Sequence, residues 1–103
     1  MNQKIFREIQ ALKKRIMPDE KAILFGSQAR GDARKDSDWD LLLLLDKDRI
    51  TYEDENVYAY PFAELGWLYG TYISVKMYTK KEWLSRSFTP FFQNIQNDGI
   101  VIS

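Results

Sequence analysis

The sequence predicts an α/β fold (α+β in arrangement): a small mixed sheet of three or four strands flanked by helices. Two short apolar runs, Lys21 to Phe25 and Leu41 to Leu45, read as buried strands. YISVKMY, residues 72 to 78, alternates apolar and polar side chains with the period of a strand, and the segments around these runs carry helical spacing. With 103 residues and a hydrophobic fraction of 45%, the chain is expected to form one domain over residues 1–103 around a single core.

The first element is an amphipathic helix from Asn2 to Met17. Its apolar residues Ile5, Ile9, Leu12 and Ile16 share one stripe, and Pro18 ends it. Lys21 to Phe25 then forms a strand that stops at Gly26, where a positive φ or a close approach to the backbone is permitted, and Ser27 suits a helix N-cap. SQARGDA follows as a short helix or turn. The second strand, Ser37 to Asp46, places Asp38 and Asp40 on one face and Trp39 on the other, and its five consecutive leucines mark a central strand covered on both sides.

DKDRITYEDE, residues 46 to 55, reads as a polar connection, followed by a helix that reaches Tyr69, begins at Glu55 or near Pro61, and stops at Gly70. In the third strand, Ile73, Val75 and Met77 share one face, and Tyr72, Ser74, Lys76 and Tyr78 share the other. Thr79 caps a short helix through a capping box with Glu82, Pro90 opens a last helix over PFFQNIQND, and IVIS adds an edge strand. The aromatic residues Trp83, Phe88, Phe91 and Phe92 near the C-terminus form either core or an interface patch.

Composition narrows the chemistry. There is no cysteine and no histidine, which removes disulfides, thiolate or histidine-bound zinc, and nucleophiles activated by imidazole. Carboxylates, hydroxyls, lysines and arginines remain, so any metal is expected to be hard and oxygen-bound, Mg2+ or Mn2+. The 15 basic and 15 acidic residues cancel, and general nucleic-acid binding is not expected. They are segregated, however: residues 1–35 hold nine basic and four acidic side chains, and residues 36–64 hold two and nine. The first residues, MNQKIFREIQ, lack the apolar core of a signal peptide, and no apolar run is long enough to span a bilayer, so the expected location is cytoplasmic, away from membranes.

The candidate site lies between the first two strands. Gly26 and Ser27 supply an anion cradle, Arg30 supplies positive charge with Arg34 as a further candidate, and Asp38 with Asp40 supplies a divalent metal site. A nucleoside triphosphate carrying magnesium satisfies all three. Phosphoryl and nucleotidyl transfer depend mainly on positioning and charge neutralisation, so a chain without histidine can carry them out.

The run GSQARGDARKDSDWDLLLL resembles the active-site motif of the DNA polymerase beta-like nucleotidyltransferase superfamily, in which Gly-Ser is followed after ten residues by Asp-x-Asp. The short chain is similar to its minimal nucleotidyltransferase (MNT) branch. The resemblance implies the nucleotidyltransferase fold, with Gly26 and Ser27 binding the triphosphate and Asp38 and Asp40 as catalytic metal ligands. It implies transfer of a nucleoside monophosphate, AMP first, to a hydroxyl such as a protein tyrosine. It also implies a helical HEPN-type partner in a toxin–antitoxin pair.

The family pattern includes a third acid on the strand after the next helix. In YISVKMY the aligned position holds Ser74, and Lys76 lies two residues further on the same face. Three readings stay open. Another acid such as Glu64 replaces the missing one; or two acids hold one metal and transfer proceeds more slowly; or the domain is a degenerate, non-catalytic nucleotide-binding or antitoxin-like subunit that works through its partner.

Overall fold

The computed structural model describes residues 1–103. Helix α1 (Gln3–Ile16) leads into strand β1 (Lys21–Phe25), short helix α2 (Gly26–Arg30) and strand β2 (Trp39–Leu45). A helical stretch follows, made of α3 (Tyr52–Asp54), a π-helical segment (Glu55–Ala59) and α4 (Tyr60–Leu68). Strand β3 (Ile73–Thr79), helices α5 (Lys80–Ser85) and α6 (Pro90–Asp98), and strand β4 (Ile100–Ile102) complete the chain. No helix is long and apolar enough to cross a membrane.

The four strands form one mixed sheet in the order β3-β2-β1-β4. β1 pairs antiparallel with β2 and β4, and β2 pairs parallel with β3, whose connection runs through α3 and α4. β2 is therefore central, and Leu41 to Leu45 are all buried. Their alternation feeds two cores. Leu41 and Leu43 pack with Trp39, Phe62, Ile5 and Ile9 on the α1 and α4 side, whereas Leu42 and Leu44 pack with Ile23, Trp83, Phe92 and Ile95 on the α5 and α6 side. Trp83 and Phe92 are thus core, with ring centroids 4.8 Å apart, while Phe88 is exposed.

Three local expectations are corrected. Ser27 is not an N-cap: α2 starts at Gly26, with Phe25 in the cap position and no capping side chain. Phe25 packs edge-on against Phe91 at 5.4 Å, so α6 holds the end of β1, and Gly26 at φ 75° turns the chain into the helix one residue early. A helical stretch already starts at Tyr52, ahead of Glu55, because Thr51 and Asp54 form a capping box. The α-helix proper, α4, begins at Tyr60 after the π-helical segment, with Pro61 in its first turn as the sequence predicts. Finally, β2 starts at Trp39, leaving Asp38 immediately before the strand.

Candidate functional site

The site forms where β1 ends and β2 begins. The antiparallel register sets Phe25 opposite Asp40, so Gly26 lies directly over the Asp40 side chain. A Cβ placed on Gly26 would collide with Oδ2 of Asp40 and lie 3.3 Å from its Cγ. Glycine is required here for two reasons: its φ of 75° is strained for other residues, and the carboxylate occupies the space a side chain would need.

Asp40 is half-buried, and Asp38 is exposed beside it. Burial and, after it, the negative charge of Asp38 push the Asp40 carboxyl above its ordinary range, while the positive charges of Lys76 and Arg30 pull it back. Three charged groups therefore act on Asp40. Arg30 ends α2 and donates from Nε to Oδ2 of Asp32 at 3.3 Å. Ser27 is half-buried in the first turn of α2, and its carbonyl accepts from the backbone N–H of Gly31 and Asp32.

The loop to β2 is tied down by a residue that sequence reasoning missed. Gln28 is 5% exposed, and its Nε2 donates to the carbonyl oxygen of Ser37 at 3.2 Å, which fixes the chain just ahead of Asp38. Its position one residue after Ser27 was the only signal available. The Trp39 N–H donates to the carbonyl of Tyr72 at 2.9 Å, and its buried ring locks the opposite face. Arg34 and Asp38 line one open recess on the α1 side, with Lys35, Trp67 and Tyr72.

On β3, the parallel register sets Ser74 beside Asp40 and Lys76 beside Leu42, so Ser74 and Lys76 share the face of Asp40. Glu64 is elsewhere. It lies on α4 in a shallow groove with Glu8, Arg15 and Leu68, on the α1 side of the sheet. No third carboxylate joins Asp38 and Asp40. As a donor set the two acids fit one hard divalent ion, which takes one or two carboxylates and completes its shell with water and phosphate oxygens. They do not make a two-ion carboxylate cluster.

The chain matches the family model described as nucleotidyltransferase domain over residues 3–97. No curated protein matches it. Among solved structures, it is similar to a toxin–antitoxin crystal structure with AMP-PNP, at 19% identity and a TM-score of 0.64, covering 100% of this chain and 73% of that one. It is also similar to a mutant of the toxin–antitoxin MntA-HpeT in which two aspartates two residues apart are changed to glutamate. That match has 18% identity and a TM-score of 0.58, covering 95% of this chain and 72% of that one. Together with the Gly-Ser and Asp-x-Asp elements at the neighbouring ends of β1 and β2, the family match over nearly the whole chain establishes that this protein belongs to the nucleotidyltransferase domain family.

Proposed function

We propose that the protein transfers a nucleoside monophosphate, AMP first, from a magnesium-bound triphosphate to a hydroxyl acceptor, and that the acceptor is a side chain of a protein partner. The observation that carries this reading is the contact of Gly26 with the Asp40 carboxylate. It brings a backbone cradle for phosphate and a carboxylate ligand for metal to one point. The likeness to toxin–antitoxin structures, one of them with AMP-PNP, supports an adenine nucleotide and a protein partner, for which a helical HEPN-type protein carrying a tyrosine is the candidate.

In this reading Gly26 and Ser27 hold the phosphate chain, Asp38 and Asp40 hold Mg2+ or Mn2+, and Arg30 supports the charge. The metal, when bound, neutralises phosphate charge as bonding changes at the α-phosphorus. The acceptor oxygen forms a bond to that phosphorus, the bond to the pyrophosphate oxygen breaks, and the hydroxyl proton passes to water. Without a carboxylate base for that proton, the rate is expected to be lower by a factor of ~100.

The rival reading, a non-catalytic nucleotide-binding subunit, is favoured by one specific observation: Ser74 stands beside Asp40 and Glu64 lies on the other side of the sheet. Calorimetric titration with Mg-ATP beside a radiolabelled transfer assay on the partner separates the two. Binding with transfer is expected; binding without transfer supports the rival, and no binding sinks both. A variant carrying Asp38→Asn and Asp40→Asn is expected to lose the magnesium dependence of binding. Retained dependence in that variant would place the metal elsewhere.

A further inference from the structure

We propose that Lys76 is a substrate-contacting residue of this site: its ammonium donates to phosphate oxygens of the bound nucleotide, supplying positive charge that a second metal ion supplies in two-metal arrangements. The proposal rests on the nucleotidyltransferase reading and deepens it. Three observations lead to it.

The first is the count of acids. Two carboxylates hold one ion, and with no third acid beside them the site has no ligands for another. A triphosphate with one divalent ion is still an anion, and Asp38 and Asp40 add negative charge next to it. Positive side chains must close that balance.

The second is position. The β2–β3 register puts Lys76 one step along the strand from Ser74, on the face that carries Asp40, and Lys76 is exposed there. The lysine stem is long and flexible, so an ammonium at this point can reach the space above the acid pair.

The third is availability. Arg30 ends α2, the helix that begins against Asp40, and Lys76 lies on the Asp40 face of β3. Arg30 is already paired with Asp32 at 3.3 Å. Lys76 has neither an ion-pair partner nor a side-chain hydrogen bond; the ion pairs are Arg30 with Asp32, Lys47 with Asp54 and Lys80 with Asp46. It is thus a free cation facing a site that is short of positive charge.

In the transfer step Lys76 exchanges no proton. It donates hydrogen bonds to non-bridging phosphate oxygens, which carry the charge while the acceptor oxygen bonds to the α-phosphorus and pyrophosphate leaves. A contact of this kind acts in the bound state as well as during transfer, so it is legible in binding alone.

The test is titration calorimetry of Mg-ATP against wild type, Lys76→Ala, Lys76→Arg and Lys14→Ala, the last an exposed lysine on α1 across the sheet. Lys76→Ala is expected to weaken binding about 10- to 100-fold, the range for a lost charge-assisted hydrogen bond. Lys76→Arg should stay within about threefold of wild type and Lys14→Ala should be unchanged, since surface charge screened by salt contributes little at that distance. Because Lys76 is exposed, thermal melts should coincide for all four proteins. Manganese titration in the presence of AMP-PNP, followed by electron paramagnetic resonance, should give one ion per nucleotide. Wild-type affinity in Lys76→Ala, an equal loss in Lys14→Ala, or two ions per nucleotide would each overturn the assignment. If the wild type itself fails to bind Mg-ATP, the underlying nucleotidyltransferase reading falls, an outcome distinct from binding that ignores Lys76.

Discussion

Replacing Gly26 with alanine probes the point where the proposed phosphate cradle and metal ligand meet, and Gly31 provides an internal control. Both glycines have positive φ, 75° at Gly26 and 83° at Gly31. Alanine at either position incurs the cost of a left-handed conformation, about 1–2 kcal/mol. Only Gly26 has a neighbour in the way: its added Cβ would strike Oδ2 of Asp40, whereas a Cβ on Gly31 meets nothing within 4 Å. The obstacle is a side chain, so Asp40 can rotate aside at a further cost of about 1 kcal/mol for an off-rotamer position. Gly26→Ala is therefore expected to lose about 2–3 kcal/mol in urea denaturation and Gly31→Ala about 1–2 kcal/mol. The functional difference should be larger, because the group that moves is the proposed metal ligand. A misplacement of about 1 Å at a reacting centre costs on the order of 100-fold. Transfer should fall by that order in Gly26→Ala, with weakened Mg-ATP binding, while Gly31→Ala stays near wild type. Equal stability losses and equal binding in the two variants would refute the view that Gly26 is glycine on account of Asp40.

Two further substitutions test the strand that completes the site and the helix that leads to it. Ser74→Asp adds a carboxylate beside Asp40. It should raise the manganese stoichiometry from one ion to two and speed transfer, at an expense of about 1 kcal/mol in metal-free stability from like-charge repulsion; an unchanged stoichiometry would mean that the missing ligand does not belong at this position. Asp54→Asn removes the carboxylate that accepts from Lys47 at 2.9 Å and from the Thr51 N–H at 2.8 Å, the bonds that hold Asp54 below its ordinary pKa. A depressed carboxyl contributes stability that is present above its unfolded pKa and is lost as pH falls through the folded one. The variant should thus be less stable by about 1–2 kcal/mol at pH 7, and urea denaturation at pH 3 should show the gap narrowing; a gap that stays constant with pH would remove the charge from the explanation.

What was legible in the sequence is what strand periodicity determines. Five consecutive leucines located the central strand, and its alternation puts Trp39, Leu41 and Leu43 in one core and Leu42 and Leu44 in the other, with Asp40 opposite the indole. The same period of two placed Ser74 and Lys76 together on β3. The capping box at Thr79 and Glu82 was read correctly because its spacing is local. Pro61 marks the start of α4, while the equivalent box at Thr51 and Asp54, which opens the helical stretch before it, lies inside a polar segment that reads as a connection. Ser27 failed as a cap for a tertiary reason, since the packing of Phe25 on Phe91 sets where α2 begins.

Glu64 is the more instructive case, because it bears on how the site is completed. Nothing local in YPFAELGWL says which side of the sheet α4 will cover. That is decided by Phe62, fully buried with Ile5, Ile9 and Leu12, which carries the whole helix to the side away from Asp40. A strand residue is assigned to a face by its parity alone once the register is known. On β3 the groups that share the face of Asp40 are accordingly those of matching parity, Ser74 and Lys76. One is a hydroxyl and the other a cation without an ion-pair partner, and in the proposed reading it is Lys76 that takes up the charge left by the missing acid.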